Sequence, residues 1–329
     1  MKKILVIRFS SIGDIVLCSP VVRCLKEQTD CQLHFLTKAG FNDIVQHNPH
    51  VDKVHLLKDN FQELIKELRK EQFDYIIDLH NNLRTSRIKF HLKVKSNAFN
   101  KLNWQKWLLV KFKINRLPDV HIVDRYIACA DELGLINDGK GLDFHLPSGM
   151  RSAKELLQID DSSYSAFVIG GQHSTKMLPK EKIFELLEKL DHRVILLGGP
   201  EDKEKGEWLE SKLPGKVINA AGNFKLLESV QILKQASVVI SHDTGLMHIA
   251  AAFKKPILSV WGNTVPEFGM YPYMADEASS IYEVKNLSCR PCSKIGFEKC
   301  PKAHFNCMLQ QDTVAIAERA NLLYREKSF

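Results

Sequence analysis

Ser241-His242-Asp243-Thr244-Gly245-Leu246-Met247-His248-Ile249-Ala250-Ala251 follows directly on the apolar run Val238-Val239-Ile240. The run predicts a buried strand and the stretch from Gly245 a helix, so the join is the strand-to-helix turn of an α/β protein. Thr244, Gly245 and Leu246 fall in the first turn of that helix, whose leading N–H groups have no intrahelical partner and can meet an anion. The helix dipole adds about 0.3–1 kcal/mol of attraction per charge. Asp243 is a carboxylate in the same turn and needs a different role. It can cap N–H groups, accept from a sugar hydroxyl, or orient a Lys or His. His248 lies four residues after Thr244 on the same helix face, where it either reaches a ligand or sits satisfied in the core.

The chain opens on the same pattern. Lys2-Lys3-Ile4-Leu5-Val6-Ile7-Arg8-Phe9 reads as a buried strand, and Ser10-Ser11-Ile12-Gly13-Asp14 as a Gly-containing loop opening a helix. Strand-like runs recur at 32–37, 53–57 and 75–79, separated by helical patterns such as 60–68. After Pro147-Ser148-Gly149 the alternation restarts, with strands at 165–169, 194–197, 217–219, 238–241 and 257–261 and helices near 180–190, 202–212 and 226–235. Alternation of this kind predicts parallel sheets covered on both faces. The expected fold class is α/β, with two Rossmann-like domains at 1–148 and 149–329. They are expected to face a central cleft at the C-terminal ends of both sheets, where the Gly13 and Gly245 loops open. The final helical run, 312–324, is expected to pack back on the N-terminal domain.

At 329 residues and 44% hydrophobic content the chain can bury two ordinary cores, and no stretch approaches the ~18 uninterrupted apolar residues of a membrane span. Met1-Lys2-Lys3 leads straight into a core strand rather than a signal peptide, and a cytoplasmic location is expected. The net charge of +7 is unevenly spread: residues 79–118 hold ten Lys or Arg and no Asp or Glu. Phe90, Phe99, Trp104, Trp107 and Phe112 lie among them. Three readings fit: a solvated basic face, a docking surface for an anionic lipid-linked molecule or membrane leaflet, or nucleic-acid binding. Arg84 and Arg87, three apart on a predicted helix, make an anion fork. The first loop lacks GxGxxG and the chain lacks GxxxxGK[ST], which argues against a nicotinamide enzyme and a P-loop kinase.

Cys18, Cys24, Cys31 and Cys129 read as buried free thiols. Cys289-x2-Cys292-x7-Cys300-x6-Cys307, with His304 between the last two, supplies enough ligands for one tetrahedral Zn²⁺. Zinc, free thiols and disulfides all remain open for it.

Arg8-Phe9-Ser10-Ser11-Ile12-Gly13-Asp14 with Pro20, the run Asp78-Leu79-His80-Asn81-Asn82-Leu83-Arg84-Thr85-Ser86, Lys176 with Pro179, Gly198-Gly199-Pro200-Glu201, and Asp243-Thr244-Gly245-Leu246-Met247-His248 span nearly the whole chain. Together they resemble the bacterial heptosyltransferases of glycosyltransferase family 9, which share the two-domain GT-B fold. The resemblance implies an inverting, metal-independent transfer of heptose from an ADP-heptose-type donor to the lipopolysaccharide inner core, with no cofactor required and no metal ligand in the site. It implies Asp14 as general base and Lys176 as the lysine on the donor diphosphate, assisted by Ser174 and Thr175. Glu201 is implied on the ribose, and Asp243, Thr244, Gly245, Leu246 and His248 complete the donor site. Arg8, Ser11, Gly13, Asn81, Arg84 and Arg87 are expected on the acceptor side. The partners implied are the nucleotide sugar and a phosphorylated lipid-linked oligosaccharide, with peripheral contact at the inner leaflet and no nucleic acid. The sequence departs from the family at Gly170-Gly171-Gln172, where a Pro-Gly pair is common; this bears on base or sugar preference. Other readings of the residues are another nucleotide-sugar transferase or epimerase of the same fold, or a non-catalytic nucleotide-sugar or lipid-binding module.

Overall fold

The computed structural model describes residues 1–159 and 163–327; the remaining positions of the expected second domain, 160–162 and 328–329, lie outside the described residues. The chain divides into two compact units, Met1–Leu102 with Val120–Pro147, and Asn103–Asp119 with Ser148–Phe329.

The first unit holds a sheet of β1 (Lys2–Ile7), β2 (Cys31–Thr37), β3 (Lys53–Leu56), β4 (Tyr75–Asp78) and β5 (Lys95–Ala98), in the order β3-β2-β1-β4-β5. All its strand pairs are parallel. Helices must then cover both faces, which is why β1 and β4 are nearly continuous apolar runs without alternation. Leu5, Ile7, Leu36 and Ile76 of the sheet pack with Leu64, Ile65 and Leu68 of the helix Phe61–Glu71.

The second unit holds β6 (Ser165–Val168), β7 (Val194–Leu197), β8 (Val217–Asn219), β9 (Val238–His242), β10 (Ile257–Trp261) and β11 (Ser280–Glu283), in the order β11-β10-β9-β6-β7-β8 and again parallel throughout. The closing helix Thr313–Lys327 lies in this unit, against the helix Lys180–Lys189 and β9, where Ile316, Ala317, Ala320 and Leu323 join the core. It was expected on the first domain. The segment that changes units is instead Asn103–Asp119.

Each sheet grows outward in both directions from its first strand. The strand order therefore reverses between β1 and β4 in one sheet and between β6 and β9 in the other. Crevices beyond the carboxyl ends of strands at such switch points are where open α/β sheets bind ligands. The Asp14 loop follows β1 and the Asp243 loop follows β9, so the topology places each beside its own sheet's switch point.

Candidate active site

In the first unit, Arg8 leaves β1 pointing inward and is only 8% exposed. Its Nη2 pairs with Asp14 Oδ1 at 2.8 Å, Nε donates to the Ser10 carbonyl at 2.7 Å, and Nη1 donates to the Leu79 carbonyl and to Tyr126 Oη at 3.1 Å. Asp14 stands in the short helix Ile12–Val16, where its Oδ2 accepts from Ser11 N at 3.2 Å and Ser11 Oγ at 2.8 Å. The carboxylate thus caps its own helix and remains about one-fifth exposed. Burial works to raise its pKa, but Arg8 and the two Ser11 donors outweigh burial and hold it below the ordinary carboxylate value. Asp14 is therefore an ionised acceptor in a fixed orientation. Arg8, expected on the acceptor, spends its donors on Asp14 and the loop backbone.

The loop after β4 is built around a fully buried Asp78, whose Oδ1 accepts from His80 N and Asn81 N at 3.1 and 2.7 Å. Lys89 meets its Oδ2 at 2.8 Å. Asn81 adopts a left-handed conformation, φ 46°, and its Nδ2 donates to the Phe99 carbonyl at 2.9 Å, which ties its amide to the loop. Asn82 caps the helix Leu83–Leu92. Arg84 and Arg87 are exposed on that helix, and the Arg87 guanidinium lies 4.4 Å from the centroid of the Phe61 ring. Gly13 is buried in the helix Ile12–Val16.

In the second unit, Lys176 Nζ meets Asp243 Oδ2 at 2.6 Å, and the same oxygen accepts from Thr264 Oγ1 at 2.9 Å. Of the three roles open to Asp243, the structure shows the orienting of a lysine. Thr244 is the N-cap residue of the helix Gly245–Ala252, and no side chain caps that end. Asp243 to Leu246 are half-buried, whereas Met247 to Ala251 are core. The first turn is thus accessible while the rest of the helix is fixed, and His248 is among the buried residues at 2% exposure.

Gly170 and Gly171 find their reason here. A Cβ on Gly170 would collide with Asp202 Oδ2, and one on Gly171 would meet Met177 and Thr244 side-chain atoms at 3.2 Å. The loops after β6 and β7 approach too closely for a side chain at Gly170, and the loop after β9 makes Gly171 a tight fit. Ser174 is exposed and lines an open depression with Met177, Leu178, Pro179, Lys180, Lys205 and Phe305. Thr175 faces away from it. Its hydroxyl donates to the Phe297 carbonyl at 3.0 Å and accepts from Phe297 N at 2.8 Å, a structural clasp rather than a free donor. Glu201 is exposed in the 3₁₀ turn Pro200–Asp202, while Asp202 beside it is buried, accepting from Gly199 N and Lys205 Nζ.

Sequence reasoning missed Thr264, Lys205, Tyr126 and Asn263. Asn263 is 1% exposed, and neither polar atom of its amide has a partner among the described residues. It follows β10 closely, so its place after an apolar run was a readable signal; its burial was not. All eight cysteines are unbridged, and Cys289 Sγ lies 3.9 Å from His304 Nε2.

The chain superposes on the glycosyl transferase family 9 protein of Veillonella parvula with a TM-score of 0.79, at 20% identity, covering 99% of this chain and 98% of that one. Against E. coli ADP-heptose lps heptosyltransferase II the TM-score is 0.75, at 19% identity, with both chains covered in full. The architecture is that of GT-B glycosyltransferases, two Rossmann-type units each with a polar loop at its switch point. The model of glycosyltransferase family 9 (heptosyltransferase) matches residues 61–299, and the chain belongs to this family. It is 26% identical over 306 residues to lipooligosaccharide heptosyltransferase 2 of Haemophilus influenzae, covering 84% of this chain and 88% of that one.

Proposed function

We propose that this glycosyltransferase moves a heptose from an ADP-heptose donor to the lipopolysaccharide inner core, inverting the anomeric centre and using no metal ion. An acceptor hydroxyl oxygen bonds to the anomeric carbon as the bond from that carbon to the diphosphate oxygen breaks. The hydroxyl proton passes to the Asp14 carboxylate and ADP departs with the electron pair. The first unit holds the acceptor, with Arg84, Arg87 and Ser11 toward it, and the second holds the donor, with Glu201 on the ribose hydroxyls. The observation that carries this reading is Lys176, oriented by Asp243 beside an uncapped helix N-terminus. A lysine and a row of N–H groups supply the counter-charge that a leaving diphosphate needs, a function that divalent ions perform elsewhere. The heptose and the acceptor class are supported by the relatives, named as heptosyltransferases of lipooligosaccharide or lipopolysaccharide.

ADP should raise the thermal midpoint of the protein, UDP, GDP and CDP should raise it less, and EDTA should leave the ADP effect unchanged. A larger rise with another nucleotide would move the donor, and loss of the effect in EDTA would end the metal-independent reading. Turnover of ADP-heptose on heptose-deficient lipopolysaccharide then tests sugar and acceptor together.

We also place the protein in the cytoplasm, at the inner leaflet. No described helix is long and apolar enough to cross a membrane. The helix Asn103–Phe112 exposes Trp104 (64%) and Phe112 (58%), and Trp104 stacks on Trp107 with ring centroids 4.8 Å apart. Among the nearby cations, Lys89 and Lys95 are paired with Asp78 and Glu132, while Lys111 is exposed on this helix. Trp104→Ser with Phe112→Ser should reduce co-sedimentation with anionic vesicles while leaving ADP binding intact. Added salt should weaken the wild-type association, since each cation near an anionic surface contributes about 1 kcal/mol. Equal sedimentation of variant and wild type would remove this helix from the membrane reading.

A further inference from the structure

The first unit contains a second cluster of chemistry-bearing side chains that the transfer reaction does not use. His34 on β2 pairs in register with Lys53 on β3, and His55 lies two residues beyond Lys53, so both imidazoles fall on one face of the sheet. That face is covered by the helix Phe61–Glu71, which presents Glu67 and Glu71 one turn apart. His34 Nδ1 and His55 Nε2 are 3.0 Å apart, and Glu71 Oε2 is 3.9 Å from His34 Nδ1. One ligand atom from each of the three residues lies within 4.8 Å of the others. Both histidines are essentially inaccessible, and Glu71 is 15% exposed.

We propose that His34, His55 and Glu71 form a site for a divalent transition-metal ion of the zinc type, with Glu67 orienting His55 from behind. Four observations carry it. First, a tetrahedral Zn²⁺ with bonds of about 2.0–2.1 Å sets its ligand atoms roughly 3.3 Å apart, a value bracketed by the separations found here. Second, His55 Nδ1 meets Glu67 Oε1 at 2.9 Å. This places the proton on Nδ1 and leaves a lone pair on Nε2, directed at His34 and Glu71. A carboxylate behind a histidine is the usual outer partner of a metal-bound imidazole. Third, Glu71 divides its oxygens: Oε1 takes Lys53 at 2.5 Å, while Oε2 faces His34, with Lys3 Nζ no nearer than 3.9 Å. The oxygen nearest the imidazoles is therefore the one not held by Lys53. Fourth, with His55 Nε2 a lone pair, the 3.0 Å contact is His34 Nδ1–H donating to it, and an ion bound between the two nitrogens would take that proton's place; His34 Nε2, which has no partner among the described residues, can carry the proton instead. Phe73 stands edge-on to both rings, at 5.2 and 6.1 Å between centroids, and confines them. The ion would tie β2, β3 and the covering helix together and take no part in the transfer.

The test is titration of the metal-stripped full-length protein with Co²⁺ and Zn²⁺, followed by visible absorption and the thermal midpoint. One Co²⁺ should bind at this site per chain, with ligand-field bands of a tetrahedral nitrogen and oxygen site and no thiolate charge-transfer band. Zn²⁺ should displace it and raise the midpoint. Glu71→Gln and His34→Gln should abolish that spectrum, and Glu67→Gln should weaken binding about 10–100-fold. Circular dichroism must show each variant folded; should His34→Gln fail to fold, Glu71→Gln at the partly exposed edge decides alone. Cys289→Ser with Cys292→Ser, measured in parallel, separates this site from the cysteine loop. The proposal is overturned if the folded wild type takes up no Co²⁺, if the spectrum survives Glu71→Gln, or if all binding carries the thiolate band and disappears with the two cysteines.

Discussion

Asp14→Asn is expected to lower kcat by about 10²–10⁴-fold while leaving the affinity for ADP unchanged, because the amide keeps the shape of the carboxylate and cannot take the acceptor proton. Turnover of the variant within a few-fold of wild type would remove Asp14 from the reaction. Loss of ADP binding would show a structural defect instead. The neighbouring arginine gives a second handle on the same group. Arg8 and Ser11 hold the Asp14 pKa below its ordinary value. The ionised carboxylate is therefore present across the neutral range and is lost only as pH falls through that lowered pKa. Any stability the ionised carboxylate contributes follows the same sign, present above the unfolded-state pKa and lost on acidification. Arg8→Met removes an opposite charge 2.8 Å away and leaves the burial. The acid limb of the kcat profile should then move up by about 1–3 pH units. An arginine that merely contacted the acceptor would change KM and leave that limb in place.

The second large effect belongs to Lys176. Lys176→Met should cost about 10²–10³ in kcat, the range found when one preorganised donor to a developing negative charge is removed. It also leaves Asp243, only 11% exposed, with Thr264 as its remaining partner in this pair of contacts. Stability should fall by about 1–3 kcal/mol for that reason alone. The double variant Lys176→Met with Asp243→Asn separates the two consequences: the thermal midpoint should recover and the activity should not. Recovery of both would make the lysine a structural partner of Asp243. Unchanged activity in the single variant would shift the diphosphate to the helix N–H groups alone.

The two strand-loop-helix units were legible in the chain because parallel strands buried on both faces become continuous apolar runs, such as Ile4-Leu5-Val6-Ile7 and Val238-Val239-Ile240, and loops that open helices concentrate Gly, Ser, Thr and Asp. The edge strands β5 and β11 were not. Lys-Ser-Asn-Ala and Ser-Ile-Tyr-Glu are half-buried or exposed, and a strand paired on one side only needs no apolar run. The closing helix Thr313–Lys327 carries its apolar residues at helical spacing whichever unit it packs on, so periodicity alone left its address open.

Site residues divide along the same line. Sequence placed Asp14, Lys176 and Asp243 in loops at strand ends, since the motif and the α/β register fix that much. Which of them touch is a matter of long-range geometry: Lys176 meets a carboxylate 67 positions away, and Arg8 reaches the Leu79 carbonyl and Tyr126. Tertiary structure also turned Thr175 inward to Phe297, brought the backbone at Gly170 too close to Asp202 for a Cβ, and gathered His34, His55 and Glu71 from two strands and a helix. Local pattern determines where a residue stands along its element. Partners distant in sequence are chosen only when the sheets order their strands and the helices close over them.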